Sequence, residues 1–186
     1  IMPSLVGSEM CIRDSKRRIM NLLLWRHAEA EALGNDLARE LTVKGKEQAR
    51  KMAQWINIHF YQDYICWVSQ AKRTQQTAFF LTENMIINSK LNPGVDVQKI
   101  IGELAKLKSD TNLILVGHQP WIGKLALFLI NRSHYPDNYV SFKKANIWWL
   151  ENKDGFNHSS TFFHLKAVLS PALLKESAAK KALKKS

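Results

Sequence analysis

The chain has 186 residues, enough for one domain with a substantial core, and its hydrophobic content of 46% with 23% charged residues is that of an ordinary globular protein. No apolar run approaches the roughly 20 residues that a membrane-spanning helix requires. Cys11 and Cys66 form neither a metal-type spacing nor a disulfide framework, so no membrane partner and a reducing, cytoplasmic setting are expected. Of the net charge of +11, residues 1–19 carry +2 and residues 171–186 carry +4. Lysine-rich ends are usually solvated, so nucleic acid is not the expected partner. A basic body suits an anionic substrate through electrostatic steering.

Residues 1–19 lack periodicity, and their basic cluster follows the short apolar stretch instead of preceding it, unlike a signal peptide. The string PSLVGSEMCIRDS resembles translated sequencing-adaptor read-through. The segment is expected to be a non-native or disordered extension, with the natural start at Met20 and one domain over residues 20–170.

From Met20 the pattern alternates. Asn21–Trp25 reads as a strand. Thr42 is placed to cap a helix reaching about Phe60, with Ala49, Met52, Ala53 and Ile56 forming its apolar stripe. Tyr64–Ser69 reads as a second strand, followed by a helix from about Arg73 to Asn84. Asn92-Pro93-Gly94 marks a turn, and Val97–Leu107 fits an amphipathic helix. Asn112–Val116 is a nearly pure apolar strand, and Pro120 suits the first turn of a helix reaching about Asn131. Ala145–Leu150 and Thr161–Leu165 read as a hairpin about the Asp154-Gly155 turn. Residues 171–186 form a basic tail, of which Ala172–Lys185 fits a short amphipathic helix. Strands alternating with helices indicate an α/β fold with a mainly parallel sheet covered on both faces.

Three of these strands end in, or lead to, a notable polar residue. The first gives Arg26 and His27, the second Ser69 and then Arg73, and the third Gly117-His118-Gln119-Pro120. The carboxyl ends of parallel strands line one edge of a sheet, so two arginines and two histidines can converge there. That set suits a dianionic phosphoryl group: guanidinium forks bind its oxygens, and imidazoles supply a nucleophile and a donor. Taken singly, His118 could equally be a satisfied strand-end residue and Arg73 a helix-surface charge. His59, His134, His158 and His164 match no tight zinc spacing and read as structural or exposed. Trp148 and Trp149 read as core or interface anchors.

The segments LLLWRHAEAE, LARELTVKG, VSQAKRTQQT and LILVGHQPWIG, in this order and spacing, resemble the histidine phosphatase superfamily, and within it the short SixA-type phosphohistidine phosphatases. The resemblance covers about residues 20–170. It implies a three-layer α/β/α sandwich of the phosphoglycerate mutase-like kind, and a monomeric enzyme that needs no metal or other cofactor. It further implies that His27 is the nucleophile, that Arg26 and Arg73 clamp the phosphoryl oxygens, and that His118 donates to them. Arg39, before the Leu-Thr pair, is a weaker phosphate-binding candidate. The implied reaction is two-step phosphoryl transfer through a covalent phosphohistidine, on a phosphohistidine-bearing signalling or phosphotransfer protein.

Three departures stand out. Ala28 replaces the family's usual glycine, and Gln70 its usual proline. Lys90 lies in the stretch Asn88–Gly94, where many members carry an acidic general acid. An alkoxide leaving group needs a proton in the transition state, whereas imidazole leaves readily, so the missing acid favours phosphohistidine. Glu29, Glu31 and Asp96 are the possible substitutes. Two alternatives stay open at this point. One is a phosphatase for small phosphate esters. The other is a phosphate-recognising protein without turnover, in which Lys90 holds the anion.

Overall fold

The computed structural model describes residues 19–131, 138–153, 156 and 162–174. Strand β1 (Met20–Arg26) lies in the middle of a six-stranded sheet of order β3-β2-β4-β1-β5-β6. The strands are β2 (Ile65–Val68), β3 (Ile86–Ile87), β4 (Leu113–Gly117), β5 (Ile147–Asn152) and β6 (His164–Leu169). The first four in spatial order are parallel, and β5 and β6 add an antiparallel hairpin along one side.

Alternate residues of the two central strands enter two separate cores, which is why both strands are apolar throughout. Leu22, Leu24, Leu113 and Leu115 pack with α3 (Val97–Leu104) and α4 (Trp121–Asn131). Leu23, Trp25, Ile114 and Val116 pack with α1 (Val43–His59) and with Ala78 of α2 (Lys72–Phe79). The result is a three-layer α/β/α sandwich with a mainly parallel sheet. None of its described helices is long and apolar enough to cross a membrane.

Thr42 caps α1 as its position predicts, its hydroxyl oxygen accepting from the Gly45 N–H at 2.9 Å. The apolar stripe expected on α1, Ala49, Met52, Ala53 and Ile56, is its buried face. Helix α2 stops at Phe79, short of the expected Asn84. Beyond it, the Thr82 N–H still reaches the Ala78 carbonyl, but the Thr82 hydroxyl takes the Asn84 N–H and turns the chain into β3. The two-residue β3 is too short to show any period, and the sequence reading lacks it. Helix α3 ends at Leu104, and the Ala105 N–H on Ile101 closes its last turn.

Strand β6 begins at His164 instead of Thr161. It is a largely exposed edge strand, so no buried face sets its register in the sequence. The expected Asp154-Gly155 turn, His134, His158 and the basic segment from Lys175 lie outside the described residues, as do residues 1–18. Trp149 is buried, with its indole N–H donating to Asn21 Oδ1 at 2.8 Å, and Trp148 stacks on Phe142. His59 packs on Trp55, and His164 is exposed.

Candidate active site

The parallel pairing of β1 with β4 sets the site. Arg26 is the register partner of Gly117, and the His27 N–H donates to the Gly117 carbonyl at 3.0 Å. The next residue on each chain is therefore a histidine, and the two rings face each other with centroids 5.0 Å apart. Strand β2, on the other side of β4, leads directly into Ser69, whose Oγ lies 2.8 Å from His118 Nε2. Arg73, in the first turn of α2, completes the convergence that the three strand ends predict. Gly117 permits the close packing, since a Cβ there would sit 2.0 Å from the Trp121 ring.

Arg26, His27, Arg39, Arg73 and His118 line one cavity of about 260 Å³, together with Ala30, Asp36, Pro93, Gln119 and Lys144. Arg73 is only 3% exposed. Its guanidinium is held by the backbone oxygen of Asp36 and, at 3.1 Å, by Asp36 Oδ2. Arg26 donates to the carbonyl of Phe142. Arg39 sits at the rim, donating to the Glu31 carbonyl at 3.1 Å and paired with Asp36 Oδ1. Lys144, exposed on the turn before β5, adds to the positive field on His27.

His27 has a fixed tautomer. Its Nδ1 lies 2.7 Å from the Ala28 carbonyl oxygen, which can only accept, so Nδ1 carries the proton and Nε2 keeps its lone pair. Burial pushes its pKa down to about 3, and the Arg73, Arg26 and Lys144 charges act in the same direction. Burial likewise pushes His118 down to about 2, with His27 and Arg73 adding to the effect. Both rings are therefore neutral near pH 7. His118 Nδ1, Arg26 Nε and Arg73 Nε are buried without a hydrogen-bond partner. Such groups are costly unless a ligand meets them. Four cationic side chains and two neutral imidazoles around one cavity suit a compact, doubly charged anion.

Asp36 and Lys144 are the residues that the sequence reading misses. Asp36 is three residues before Arg39 in a polar loop, the spacing of an ion pair, which is the only local hint. Lys144 comes from a distant turn and gives none. The stand-in acids do not reach the cavity. Glu29 pairs with Lys44, Asp96 caps α3 through the Gln98 N–H, and Glu31 lines a neighbouring depression with Glu40. Asp36 does line the cavity, but hydrogen bonds from Arg39 and then Arg73 hold its carboxyl below the usual carboxylate range. Lys90 does not point inward; its Nζ lies 2.7 Å from Glu103 Oε1, which removes the basis for an anion held by Lys90.

Comparison with known proteins bears on the family and the fold. A family model described as the histidine phosphatase superfamily (branch 1) matches residues 22–96, which carry the Arg26-His27 and Arg73 segments. The chain is 31% identical over 150 residues to a phosphohistidine phosphatase SixA homolog of Haemophilus influenzae, a match covering 72% of this chain and 91% of the relative. A solved structure of the protein histidine phosphatase SixA complexed with tungstate has the same fold, with a TM-score of 0.72 at 21% identity over 84% of this chain and 100% of that one. A candidate SixA phosphohistidine phosphatase from Nakamurella multipartitia gives a TM-score of 0.69 at 26% identity, covering 82% of this chain and 96% of that one.

Proposed function

The chain belongs to the histidine phosphatase superfamily, in its SixA-type branch, and from that premise we propose that it removes phosphate from a phosphohistidine-bearing signalling or phosphotransfer protein through a covalent phosphohistidine on His27. The observation that carries this reading is the Nδ1–Ala28 hydrogen bond. It commits His27 to the tautomer whose Nε2 lone pair is free, in a cavity lined by Arg26, Arg73, Arg39 and Lys144.

In the first step Nε2 of neutral His27 attacks phosphorus in line, and the bond from phosphorus to the substrate nitrogen breaks. Arg26 and Arg73 offer preformed donors to the equatorial oxygens, where charge spreads in the transition state. His118 adds a further buried nitrogen to that ring of contacts, oriented by Ser69. In the second step water displaces His27 from phosphorus, and the same donors stabilise the second transition state. Arginines here do the charge neutralisation that a metal ion does in other phosphoryl-transfer sites, so the proposed reaction is metal-independent.

The kind of leaving group follows from the acid inventory. Among the described residues Asp36 is the one carboxyl lining the cavity, and two arginines keep it ionised, so it is a poor proton donor. An imidazole needs less assistance than an alkoxide, which favours a phosphorus–nitrogen bond. Incubation with a phosphohistidine-bearing domain, following phosphate release, tests the reading. Wild type is expected to release phosphate and His27→Ala is not; equal release by both refutes it.

A further inference from the structure

The transfer proposed above runs between two imidazoles, and the structure shows what one of them requires. An imidazole bonded to phosphorus leaves as a neutral ring only when its other nitrogen carries a proton; without that proton it must leave as an anion. His27 has that proton on Nδ1, held by the Ala28 carbonyl at 2.7 Å. The substrate imidazole on the opposite face of phosphorus has the same requirement. It needs an acceptor for its distal N–H.

Among the described residues that line the cavity, Gln119 carries a side-chain amide acceptor without a partner. Gln119 Nε2 donates to the Val140 carbonyl at 2.9 Å. Because a carbonyl only accepts, that bond fixes which end of the amide is nitrogen. Gln119 Oε1 is left buried and without a partner, on a residue that lines the cavity beside His118. Of the other lining side chains that can accept, Asp36 has Oδ1 engaged by Arg39 and Oδ2 by Arg73, while His27 Nε2 and His118 Nδ1 are assigned to the phosphoryl group in the reading above. Arg26, Arg39, Arg73 and Lys144 have donors alone to offer.

We infer that Gln119 Oε1 accepts the distal ring N–H of the substrate's phosphohistidine and so selects an imidazole leaving group. This inference rests on the phosphohistidine reading above. In the step, His27 Nε2 forms its bond to phosphorus while the phosphorus–nitrogen bond breaks, and that electron pair returns to the substrate ring. The distal proton stays on the ring, hydrogen-bonded to Oε1, so a neutral imidazole departs and no acid in the cavity is consumed. The same contact has nothing to offer a phosphate ester, whose leaving oxygen carries no such N–H.

The test compares free phosphohistidine with para-nitrophenyl phosphate, whose phenolate leaves without a proton, on wild type, Gln119→Leu and Gln119→Glu. A hydrogen bond to a charged ring corresponds to roughly 10- to 100-fold in rate. Gln119→Leu is expected to lose that factor in kcat/KM for phosphohistidine and less than about threefold for para-nitrophenyl phosphate, while Gln119→Glu, which keeps an acceptor, restores the preference. Equal losses on both substrates mean that Gln119 only ties down the Val140 segment, and no loss means that it touches nothing; either overturns the inference. A wild type that cleaves para-nitrophenyl phosphate but not phosphohistidine overturns the functional reading itself.

Discussion

His27 and His118 hold their rings 5.0 Å apart because the strands that end in them are parallel neighbours, locked by the bond from the His27 N–H to the Gly117 carbonyl. One backbone contact thus sets the spacing between the proposed nucleophile and the proposed donor. Both rings are buried and neutral, and arginines supply the positive charge beside them.

Arg73→Lys is expected to lower kcat/KM by about 10²-fold or more, because an ammonium cannot reproduce a buried planar guanidinium that is anchored on Asp36 and lines the cavity with its Nε unpaired. Arg39→Lys is expected to cost less than about tenfold, since Arg39 lies at the rim and is spent on Asp36 and the Glu31 carbonyl. Steady-state kinetics of the two variants on one substrate check the ordering. A larger loss at Arg39 contradicts the placement.

Lys90→Ala is expected to leave kcat and product inhibition by phosphate within about twofold of wild type. Its charge is directed at Glu103 on a partly exposed pair, and such pairs contribute about 0–1 kcal/mol to stability. Inhibition constants for inorganic phosphate decide the point; a marked weakening would return Lys90 to the site.

Gly117→Ala forces a methyl group into the Trp121 ring, which itself is fully packed in the core. Overpacking of this kind costs about 1–3 kcal/mol. Because Gly117 immediately precedes His118, activity is expected to fall along with the melting temperature. A variant with unchanged melting and unchanged kcat would show that the ring moves aside freely.

The buried histidines make stability depend on pH in a defined direction. Their folded pKa values, about 3 for His27 and about 2 for His118, lie below the ordinary 6.5, so the unfolded chain binds protons that the folded one does not. The stability they contribute is complete above pH 6.5 and is lost as pH falls below it toward 3, at a limiting slope of about 1.4 kcal/mol per unit for each histidine. Denaturant melts between pH 7.5 and 4.5 should show this decline, and His118→Asn should make it shallower. A flat profile in wild type contradicts neutral burial.

The parts of the molecule that the sequence reveals are those governed by local pattern. β1 and β4 are buried on both faces, so each is an apolar run, and a polar residue at its end stands out. Arg26, His27, Arg73 and His118 are visible for that reason, and the four motifs around them carry the family resemblance. Thr42 is equally legible, because capping is a local contest for one N–H. Asp36, Lys144 and the orientation of Gln119 depend on how loops fold over the sheet edge, and no period or spacing encodes that. β3 and the start of β6 share the difficulty, one being too short and the other too exposed for burial to leave a pattern. Lys90 shows the converse error. Its place in the chain suggests a role at the site, but Glu103 on α3 turns it away.

The most direct test of the account is to trap the phosphoenzyme. Wild type mixed with a labelled phosphohistidine donor and quenched in alkali is expected to carry acid-labile, alkali-stable phosphate that mass spectrometry places on His27, with no label on His27→Ala. Label on any other residue, or phosphate release from His27→Ala at the wild-type rate, would contradict it.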